Sequence, residues 1–340
     1  MQNYNVTLLP AFEQNNVPVV LAVNNLFAPY AGVFIRSLLD HASEENNYDI
    51  VIFQRDISKE NQRLLKSLET GLTNVSVRFY DPSPLFVSFE YEDEKSRYPL
   101  EVFYKVIAPH ILDCRGRMIT VDVDTLLKTD IARLMDEDLD GCSVGGVCDI
   151  GMSGMYLRDR TIRGNMKVRD YIHNICGLDD FKNYVNTGLL LFDRDKYVQE
   201  LGMETILDTA QRGGYALPEQ DTLNILMKDR IKILDFKWNV FVRLNPYKTA
   251  DLDAGSKLYG GAYERAYEDP YLIHWTPRPK PWVCPDVPWG SEWWQTALRT
   301  PFVGHIIARM SDALEERRAY FRNRYGKEVD VWDPTPKGID

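Results

Sequence analysis

Short apolar runs alternate with amphipathic stretches through the first third of the chain. The runs Val17–Val23, Tyr48–Phe53 and Val75–Tyr80 are rich in β-branched and aromatic residues, which favours buried strands. Between them, Ala28–Leu39 carries apolar residues at helical spacing, and Ser58 is placed to cap a second helix. This alternation predicts an α/β domain with a parallel sheet and helices on both of its faces.

The pattern of strands and helices continues through the middle of the chain. A helical stretch over Leu100–Leu112 leads into a strand that begins near Arg117. Further strands are predicted at Cys142–Cys148 and Tyr184–Phe192, and a further helix over Asp221–Met227. A proline-rich stretch then interrupts the pattern.

The proline-rich stretch Pro277–Pro288 predicts a domain boundary. We therefore expect one main domain over residues 1–285 and a helical C-terminal extension over residues 286–340. One domain with an extension also suits a chain of 340 residues.

The predicted extension combines tryptophans with basic residues. Trp289, Trp293 and Trp294 precede the run Arg317–Arg324, which is rich in arginine. Such a segment would suit peripheral contact with a membrane surface, where lipid-linked acceptors reside. Alternatively, the tryptophans pack on the main domain and the arginines pair with Glu315 and Glu316. The sequence leaves both interpretations open.

Composition and charge narrow the classes of function. A content of 44% hydrophobic and 26% charged residues is ordinary for a globular protein, and the net charge of −10 argues against nucleic-acid binding. The first residues lack the features of a signal peptide, and no apolar window is long enough to span a membrane. The five cysteines include no Cys-x-x-Cys pair. We expect a cytoplasmic protein with reduced thiols, and peripheral association with the inner face of the membrane is the alternative.

The most informative stretch is Arg117–Thr125, an apolar run that ends in Asp122 and Asp124. Residues two apart on a strand face the same way, so both carboxylates can point into one crevice. They repel each other unless a cation lies between them or one keeps a proton. Hard oxygen ligands suit Mg²⁺ or Mn²⁺, which usually bridge carboxylates to substrate phosphates. Taken alone, the pair is also compatible with two ordinary surface acids.

Two residues near the C-terminal boundary extend this chemistry. The imidazole of His274 can add a third ligand to a metal held by two carboxylates. The ammonium of Lys280 can act as a point charge on a diphosphate. Taken alone, His274 reads as a structural histidine and Lys280 as a solvated lysine. Together with Asp122 and Asp124, they favour a site for a metal and a diphosphate.

Three other segments complete the pattern. Asn24 follows the first strand, where an α/β sheet usually binds a nucleotide. Asn186-Thr-Gly188 opens an apolar strand, and Glu219-Gln220-Asp221 opens a helix. In this order and spacing, the segments resemble glycosyltransferase family 8, the retaining sugar-nucleotide-dependent transferases. That family includes bacterial lipooligosaccharide galactosyltransferases and glycogenin.

The resemblance runs from about Val17 to Trp282 and implies a fold and an activity. The implied fold is a single GT-A (Rossmann-like) domain with a mixed central sheet. The implied activity is the Mn²⁺- or Mg²⁺-dependent transfer of glucose or galactose from a UDP-sugar to an acceptor hydroxyl. A saccharide, a lipid-linked saccharide or a protein would be the acceptor, and cell-surface polysaccharide biosynthesis the setting.

The resemblance also implies the roles of individual residues. The implied metal ligands are Asp122, Asp124 and His274. The residues implied to hold the nucleotide or diphosphate, besides the two aspartates, are Ala22, Asn24, Lys105, Val123 and Lys280, with Lys105 at a position where the family usually has an arginine. The residues implied to surround the transferred hexose are Asp149, Asn186, Glu219 and Gln220.

Four positions depart from the family pattern. Asn24 replaces an aspartate that usually accepts the uracil N3–H, although an amide oxygen can still accept that bond. Leu26 stands where a polar residue often lies near the nucleotide. Pro277 replaces a glycine and removes a backbone N–H that would reach the diphosphate. Glu219 replaces an aspartate beside the sugar. These changes bear on donor identity and on activity.

Retention of the anomeric configuration permits two mechanisms. Double displacement needs a carboxylate nucleophile, whereas Gln220, at the usual position, is a neutral amide. We therefore favour same-face attack, with Gln220 and Asp149 orienting the sugar; Asp149 or Glu219 as nucleophile is the alternative.

Two other functions compete with that of a glycosyltransferase. A catalytically weak sugar-nucleotide-binding module would keep the fold, and a sugar-nucleotide pyrophosphorylase would need a Gly-rich basic loop where Val23–Phe27 lies.

Overall fold

The computed structural model describes residues 7–312, apart from residues 88, 90–98, 229, 245 and 277–278. The strands of the described residues are β1 (Asn16–Ala22), β2 (Asn47–Phe53), β3 (Val75–Tyr80), β4 (Arg117–Val121), β5 (Thr125–Leu127), β6 (Val144–Cys148), β7 (Thr161–Ile162), β8 (Met166–Lys167), β9 (Val185–Asp193), β10 (Ile231–Ile233), β11 (Val240–Phe241) and β12 (Leu272–His274).

The α-helices of the described residues are α1 (Ala28–Leu39), α2 (Lys59–Lys66), α3 (Tyr104–Ile111), α4 (Ile150–Leu157), α5 (Val168–Asp170), α6 (Arg194–Glu200), α7 (Met203–Gln211), α8 (Pro218–Leu226), α9 (Pro246–Leu258), α10 (Ala262–Glu268) and α11 (Gly290–Ala297), and residues 303–312 are also helical. The predicted strands and helices of the first third are confirmed within one or two residues, except that the second helix ends at Lys66 rather than near Gly71. The side chain of Ser58 caps α2 by accepting a hydrogen bond from the Asn61 N–H at 3.2 Å.

Seven strands form the central sheet in the order β10-β6-β9-β4-β1-β2-β3. The strands β3, β2, β1 and β4 run parallel to one another, as the alternating pattern predicts. Strand β9 runs antiparallel to both β4 and β6, so the parallel arrangement predicted from the alternating pattern does not extend to β9. The apolar pattern of β9 predicts a strand but carries no information on its direction. The mixed sheet that the resemblance implies is confirmed.

Strand β1 is buried on both faces, which explains its uninterrupted apolar sequence. Val19 and Leu21 pack into the core that includes Phe34 of α1. Val20 points to the opposite face and packs into the core that includes Ile107 of α3. The sheet therefore lies between two helical layers, and its carboxyl edge is the place where loops can carry functional groups.

A second, three-stranded sheet has the order β11-β12-β5. Strand β12 pairs antiparallel with β5, which places His274 opposite Thr125. The small sheet thereby brings a residue from the last third of the chain next to the Asp122-Val-Asp124 segment, which lies between β4 and β5.

The three tryptophans of the predicted extension pack on the domain, as the second of the two interpretations expects. Trp293 is fully buried, and Trp289 lies 4.6 Å from Tyr267 between ring centroids. The indole N–H of Trp294 donates to the Pro281 carbonyl at 2.9 Å. The packing of these rings gives no support to membrane contact through the tryptophans. Glu315 and the run Arg317–Arg324 lie outside the described residues.

A stacked aromatic pair joins the first helix to the segment that precedes the extension. The rings of Tyr30 and Trp282 lie 4.0 Å apart between centroids at an interplanar angle of 15°. Trp282 follows Lys280 by two residues, so this stack holds the Lys280 segment against α1. Among the described residues, no helix combines the length and the apolar character needed to cross a bilayer.

Candidate functional site

The two aspartates lie just beyond the end of β4. The strand ends at Val121, so Asp122 and Asp124 occupy the bend that follows rather than the strand itself, which corrects the expected geometry. Backbone hydrogen bonds fix this bend from both sides. The Asp122 N–H donates to the Gly188 carbonyl at 2.9 Å, and the Trp275 N–H donates to the Asp124 carbonyl at 3.1 Å. The segments of β9 and β12 therefore hold the bend in place.

Asp122, Asp124 and His274 come together as the sequence predicts. One ligand atom from each residue lies within 4.8 Å of the other two. The Nε2 atom of His274 is 3.2 Å from Asp124 Oδ1 and 4.0 Å from Asp122 Oδ2. Two carboxylate oxygens and an imidazole nitrogen form a donor set that suits Mn²⁺ or a similar divalent cation. The residues present therefore fit the metal that the sequence predicts.

Asn239 fixes the orientation of the histidine, and the sequence reasoning missed this residue. The Asn239 side-chain N–H donates to Asn186 Oδ1 at 2.8 Å, so its own Oδ1 can accept. His274 Nδ1 lies 2.8 Å from that oxygen. Nδ1 therefore donates to Asn239 Oδ1, which leaves Nε2 facing the two aspartates. The position of Asn239 just before β11, which pairs with β12, accounts for this contact, but no motif in the sequence marks it.

Gly188 supplies the space that the imidazole occupies. A Cβ atom at this position would lie 2.3 Å from His274 Cε1. The Gly188 N–H also donates to Asn186 Oδ1 at 2.8 Å. The Asn-x-Gly segment at the start of β9 therefore combines an amide that supports the site with a residue small enough to admit His274.

Each of the two aspartates contacts a different lysine, and Lys280 contacts Asp124. The ammonium of Lys280 is 2.6 Å from Asp124 Oδ2 and also donates to the Trp275 carbonyl. Burial alone would raise the pKa of Asp124, but Lys280 and His274 outweigh it, and the pKa lies well below its usual range. Asp124 is therefore a carboxylate at any physiological pH.

Lys105 of α3 contacts the other aspartate from inside the protein. Its ammonium donates to Asp122 Oδ1 and, at 3.2 Å, to the Thr187 carbonyl. Its Nζ also lies 3.8 Å from Glu219 Oε1. Burial alone would lower the pKa of Lys105, but Asp122 and Glu219 outweigh burial, and its pKa is raised. The residue is therefore a buried cation.

Three of the four residues predicted to surround the hexose are joined by hydrogen bonds, and Thr187 links the fourth, Glu219, to Gln220. Gln220 accepts from Asn186 Nδ2 at 2.8 Å and donates to Asp149 Oδ2 at 3.0 Å. The other oxygen of Asp149 caps α4 by accepting from the Met152 N–H at 2.8 Å. Burial raises the pKa of Asp149. Glu219, the fourth member, accepts from the Thr187 hydroxyl at 3.3 Å, and burial raises its pKa although Lys105 opposes the shift.

Asp221 anchors the helix that presents Glu219 and Gln220. The hydroxyls of Tyr171 and Tyr184 donate to its two oxygens at 2.6 and 2.5 Å. The Leu217 N–H, at the start of α8, donates to Asp221 Oδ2 at 2.8 Å. Asp221 is fully buried and its oxygens are engaged, so the residue supports the site without facing it. The sequence indicates the Gln220-Asp221 pair, but it does not indicate that Tyr171 and Tyr184 hold Asp221 in place.

The positions predicted to hold a nucleoside lie at the carboxyl edge of the sheet. Ala22 is the last residue of β1, and the neighbouring strand β4 ends just before the Asp122-Val-Asp124 segment. Val123, which separates the two aspartates in the sequence, is buried. Asn24 follows β1, and its side-chain oxygen accepts from the Phe27 N–H at 3.1 Å, an interaction that the sequence reasoning missed. No described hydrogen bond joins Asn24 to the metal-ligand group. Leu26 is exposed, with 57% of its surface accessible.

The Leu26 carbonyl accepts a hydrogen bond from the guanidinium of Arg309, in the helical stretch 303–312. This contact joins the C-terminal segment to the loop that follows β1. Pro277, the substitution expected to remove a backbone donor near the diphosphate, lies outside the described residues.

Comparison with known families gives one match that covers most of the chain. The profile of the family described as "Glycosyl transferase family 8" matches residues 18–284. The chain is also similar to glycosyltransferase GlyF of Streptococcus pneumoniae serotype 4, with 24% identity over 281 residues. That alignment covers 81% of this chain and 60% of GlyF, so the chain spans less than two thirds of this relative.

Solved structures show the same fold. The apo structure of the bifunctional glycosyltransferase WbbM matches with a TM-score of 0.78 and 23% identity, over 90% of this chain and 53% of that one. The galactosyltransferase LgtC, solved in complex with donor and acceptor sugar analogues, matches with a TM-score of 0.63 and 19% identity, over 84% and 96% of the two chains. These similarities establish the GT-A fold of the domain.

Proposed function

The chain belongs to glycosyl transferase family 8 and is therefore a glycosyltransferase, and from this premise we propose that it moves a hexose from a UDP-sugar to an acceptor hydroxyl. The observation that carries the proposal is the convergence of Asp122, Asp124 and His274 beside Lys280, at the carboxyl edge of the sheet. This edge is where α/β proteins bind nucleotides. The resemblance noted from the sequence favours uridine as the base and glucose or galactose as the sugar.

Asp122, Asp124 and His274 would hold a divalent cation, Mn²⁺ or Mg²⁺. When bound, the ion supplies Lewis-acid stabilisation of the charge that develops on the leaving diphosphate. Lys280 lies beside the ligands, where its ammonium contacts Asp124 Oδ2, and would provide a further positive charge for that diphosphate. Ala22, Asn24 and Val123 would contact the nucleoside.

The hexose would lie against Asp149, Asn186, Glu219 and Gln220. Gln220 is a neutral amide whose oxygen already accepts two hydrogen bonds, from Asn186 Nδ2 and the Thr187 N–H. An amide held in this way orients a sugar but is a poor nucleophile. The arrangement therefore supports same-face attack over a covalent intermediate formed by Gln220.

In same-face attack, the acceptor oxygen bonds to the anomeric carbon on the face from which UDP leaves. The bond from the anomeric carbon to the diphosphate oxygen breaks, and the acceptor's hydroxyl proton passes to that oxygen. The configuration of the anomeric carbon is retained. Asp149 faces Gln220 with one oxygen and can stabilise positive charge near the sugar ring. A saccharide, a lipid-linked saccharide or a protein would supply the hydroxyl in cell-surface polysaccharide synthesis.

Donor hydrolysis tests this proposal without knowledge of the acceptor. The purified protein would be incubated with Mn²⁺ and a panel of UDP-, GDP- and CMP-sugars, and the released nucleotide measured. Asp124→Ala removes a proposed ligand, whereas Asp208→Ala, an exposed acid on α7, is the matched control. We expect metal-dependent release from one UDP-hexose, lost in Asp124→Ala and kept in Asp208→Ala. No turnover on any donor, together with no UDP binding in the presence of Mn²⁺, would contradict the proposal.

A further inference from the structure

Lys105 is a buried cation placed between two carboxylates. The residue is 2% exposed, and α3 carries its side chain to the inner side of the site. Its ammonium has three N–H groups, and three oxygens surround it: Asp122 Oδ1, the Thr187 carbonyl and, at a longer 3.8 Å, Glu219 Oε1. The lysine is thus tied to the aspartate and only loosely to the glutamate.

The aspartate that Lys105 holds is one of the three residues that could ligate a metal. Asp122 offers Oδ1 to the ammonium, while its Oδ2 lies 4.0 Å from His274 Nε2. The ammonium and a divalent ion are attracted by the same carboxylate and repel each other. A cation that binds to Asp122 must therefore overcome the repulsion of a charge that cannot leave the interior.

The glutamate offers the lysine a second position. Glu219 is 8% exposed, and its Oε2 is buried with no hydrogen-bond partner within the part of the chain that the structure describes. A buried acceptor without a partner is costly, so the oxygen would gain from a donor. The nearest described cation is Lys105, whose contact with Glu219 Oε1 is already an ion pair. A small movement of the lysine side chain would shorten that contact and release Asp122.

We propose that Lys105 is a positioning residue that sets the metal affinity of this site by competing for Asp122 and moving towards Glu219 when a cation binds. The inference rests on the proposed function, because it takes Asp122 as a metal ligand. It assigns distinct tasks to the two lysines. Lys280, the less buried of the two, contacts Asp124 and would add positive charge for a diphosphate, whereas Lys105 acts from the interior on Asp122 and Glu219.

The proposal gives the two single substitutions opposite effects on metal binding. Lys105→Met removes the competing charge with little change of volume, so Mn²⁺ should bind more tightly, by about fivefold or more. Glu219→Gln removes the alternative position of the lysine, so Mn²⁺ should bind more weakly. A merely structural role for Lys105 would give the opposite sign for the first change, because loss of a buried ion pair would loosen the ligands.

The double variant separates the proposed coupling from a general loss of negative charge. If Glu219 acts by receiving Lys105, Glu219→Gln should have a smaller effect in the Lys105→Met background than in the wild type. If Glu219 acts only through its own charge, the effect should be the same in both backgrounds. Lys66→Met on the remote helix α2 is the matched control for the loss of one lysine and should leave Mn²⁺ affinity unchanged.

The measurement is Mn²⁺ binding to the full chain without nucleotide, followed by electron paramagnetic resonance of the free ion. Should Lys105→Met not fold, Lys105→Gln keeps a polar group for Thr187 and carries the same expectation. Affinity that is unchanged or weaker in the folded Lys105 variant would overturn the inference alone. If neither wild type nor variant binds Mn²⁺, the metal assignment fails and the inference fails with it. Tighter binding together with the non-additive double variant would establish it.

Discussion

Gly188 and His274 approach each other so closely that the glycine position has no room for a side chain. A Cβ on Gly188 would lie 2.3 Å from Cε1 and 2.6 Å from Nδ1 of the imidazole, and 2.7 Å from Asn186 Oδ1. Carbon atoms in contact prefer about 3.5–4.0 Å. The glycine of the Asn-x-Gly segment is therefore a condition for the position of the histidine.

Gly188→Ala should push the imidazole away from Asp122 and Asp124. We expect Mn²⁺ affinity and the rate of donor hydrolysis each to fall about tenfold or more, as when a group that orients a metal ligand is lost. Isothermal titration with Mn²⁺ and the hydrolysis assay measure the two effects. Gly202→Ala is the control, because a Cβ there meets nothing closer than 4.0 Å. Wild-type Mn²⁺ affinity in Gly188→Ala would refute this account of the glycine.

Asn239→Leu should release the ring orientation of His274. Without the Oδ1 acceptor, the Nδ1 proton loses its partner, and either nitrogen can carry the proton. Loss of such a partner typically weakens metal binding by about 10–100-fold. Asn74→Leu also removes an amide that makes two hydrogen bonds, but far from the site. The second variant should lose stability and keep its Mn²⁺ affinity; equal affinities in both variants would contradict the role of Asn239.

Glu219→Gln should stabilise the protein in a pH-dependent way. Burial raises the pKa of Glu219 above its ordinary value of 4.5, against the opposing effect of Lys105, so the fold favours the protonated acid. Its contribution to stability is full below pH 4.5 and is lost as the pH rises through the raised pKa of the folded state. At neutral pH, the variant should gain about 1–2 kcal/mol in the free energy of unfolding, because the neutral amide avoids the cost of burying the charged carboxylate.

Urea unfolding between acid and neutral pH measures this gain. The difference between Glu219→Gln and the wild type should be small at acid pH and increase towards neutral pH. Glu204→Gln, an exposed acid on α7, should show no such trend. A difference that stays constant with pH would show that Glu219 has the same protonation state in the folded and unfolded chain.

Gly154→Ala should separate the helices α4 and α9. A Cβ on Gly154 would lie 1.7 Å from the Asp251 carbonyl oxygen, and one on Gly255 would lie 2.4 Å from the Ile150 carbonyl oxygen. Backbone atoms cannot yield as a flexible side chain can, so we expect a loss of about 3 kcal/mol in unfolding free energy. Helix α4 begins after Asp149, so donor binding should weaken as well.

Gly304→Ala controls for the change of a helical glycine to alanine, since a Cβ there meets nothing within 4 Å. Denaturant unfolding of both variants, with the Michaelis constant for the donor, tests the expectation. A loss in Gly154→Ala no larger than in Gly304→Ala would show that the two helices can move apart without cost.

The sequence predicts most of the sheet because its signal is local. The runs that form β1, β2 and β3 are uninterrupted and apolar, and helices fill the intervals between them. The direction of β9 depends on which neighbours it pairs with, and no residue within the strand encodes that choice. The small sheet escapes local reasoning for another reason: β11 has two residues, and β5 and β12 have three each, too few to show a period.

The candidate site divides in the same way. Asp122, Asp124 and His274 belong to recognisable segments, and the structure brings them together. Asn239 and the tyrosines at Asp221 act through contacts across more than thirty positions of the chain. A single asparagine or tyrosine in an ordinary segment gives no sign of such a partner. The sequence therefore indicates the residues that would meet a ligand, and only the fold reveals those that hold them.

Because β5 pairs with β12, a cation bound to both Asp124 and His274 would help to hold the C-terminal third of the domain in place. A cation on Asp124 and His274 would close a loop of 150 residues (274 − 124 = 150). The strand that carries His274, β12, is otherwise held by backbone hydrogen bonds to only two short strands, β5 and β11. Such strands open locally at low free-energy cost, and the open form loses the ion. Amide hydrogen exchange in β5, β11 and β12 should therefore slow when the metal binds, while exchange in β1 and β2 stays as it was. Metal binding at the site would then respond to the packing of the last third of the chain as well as to substrate.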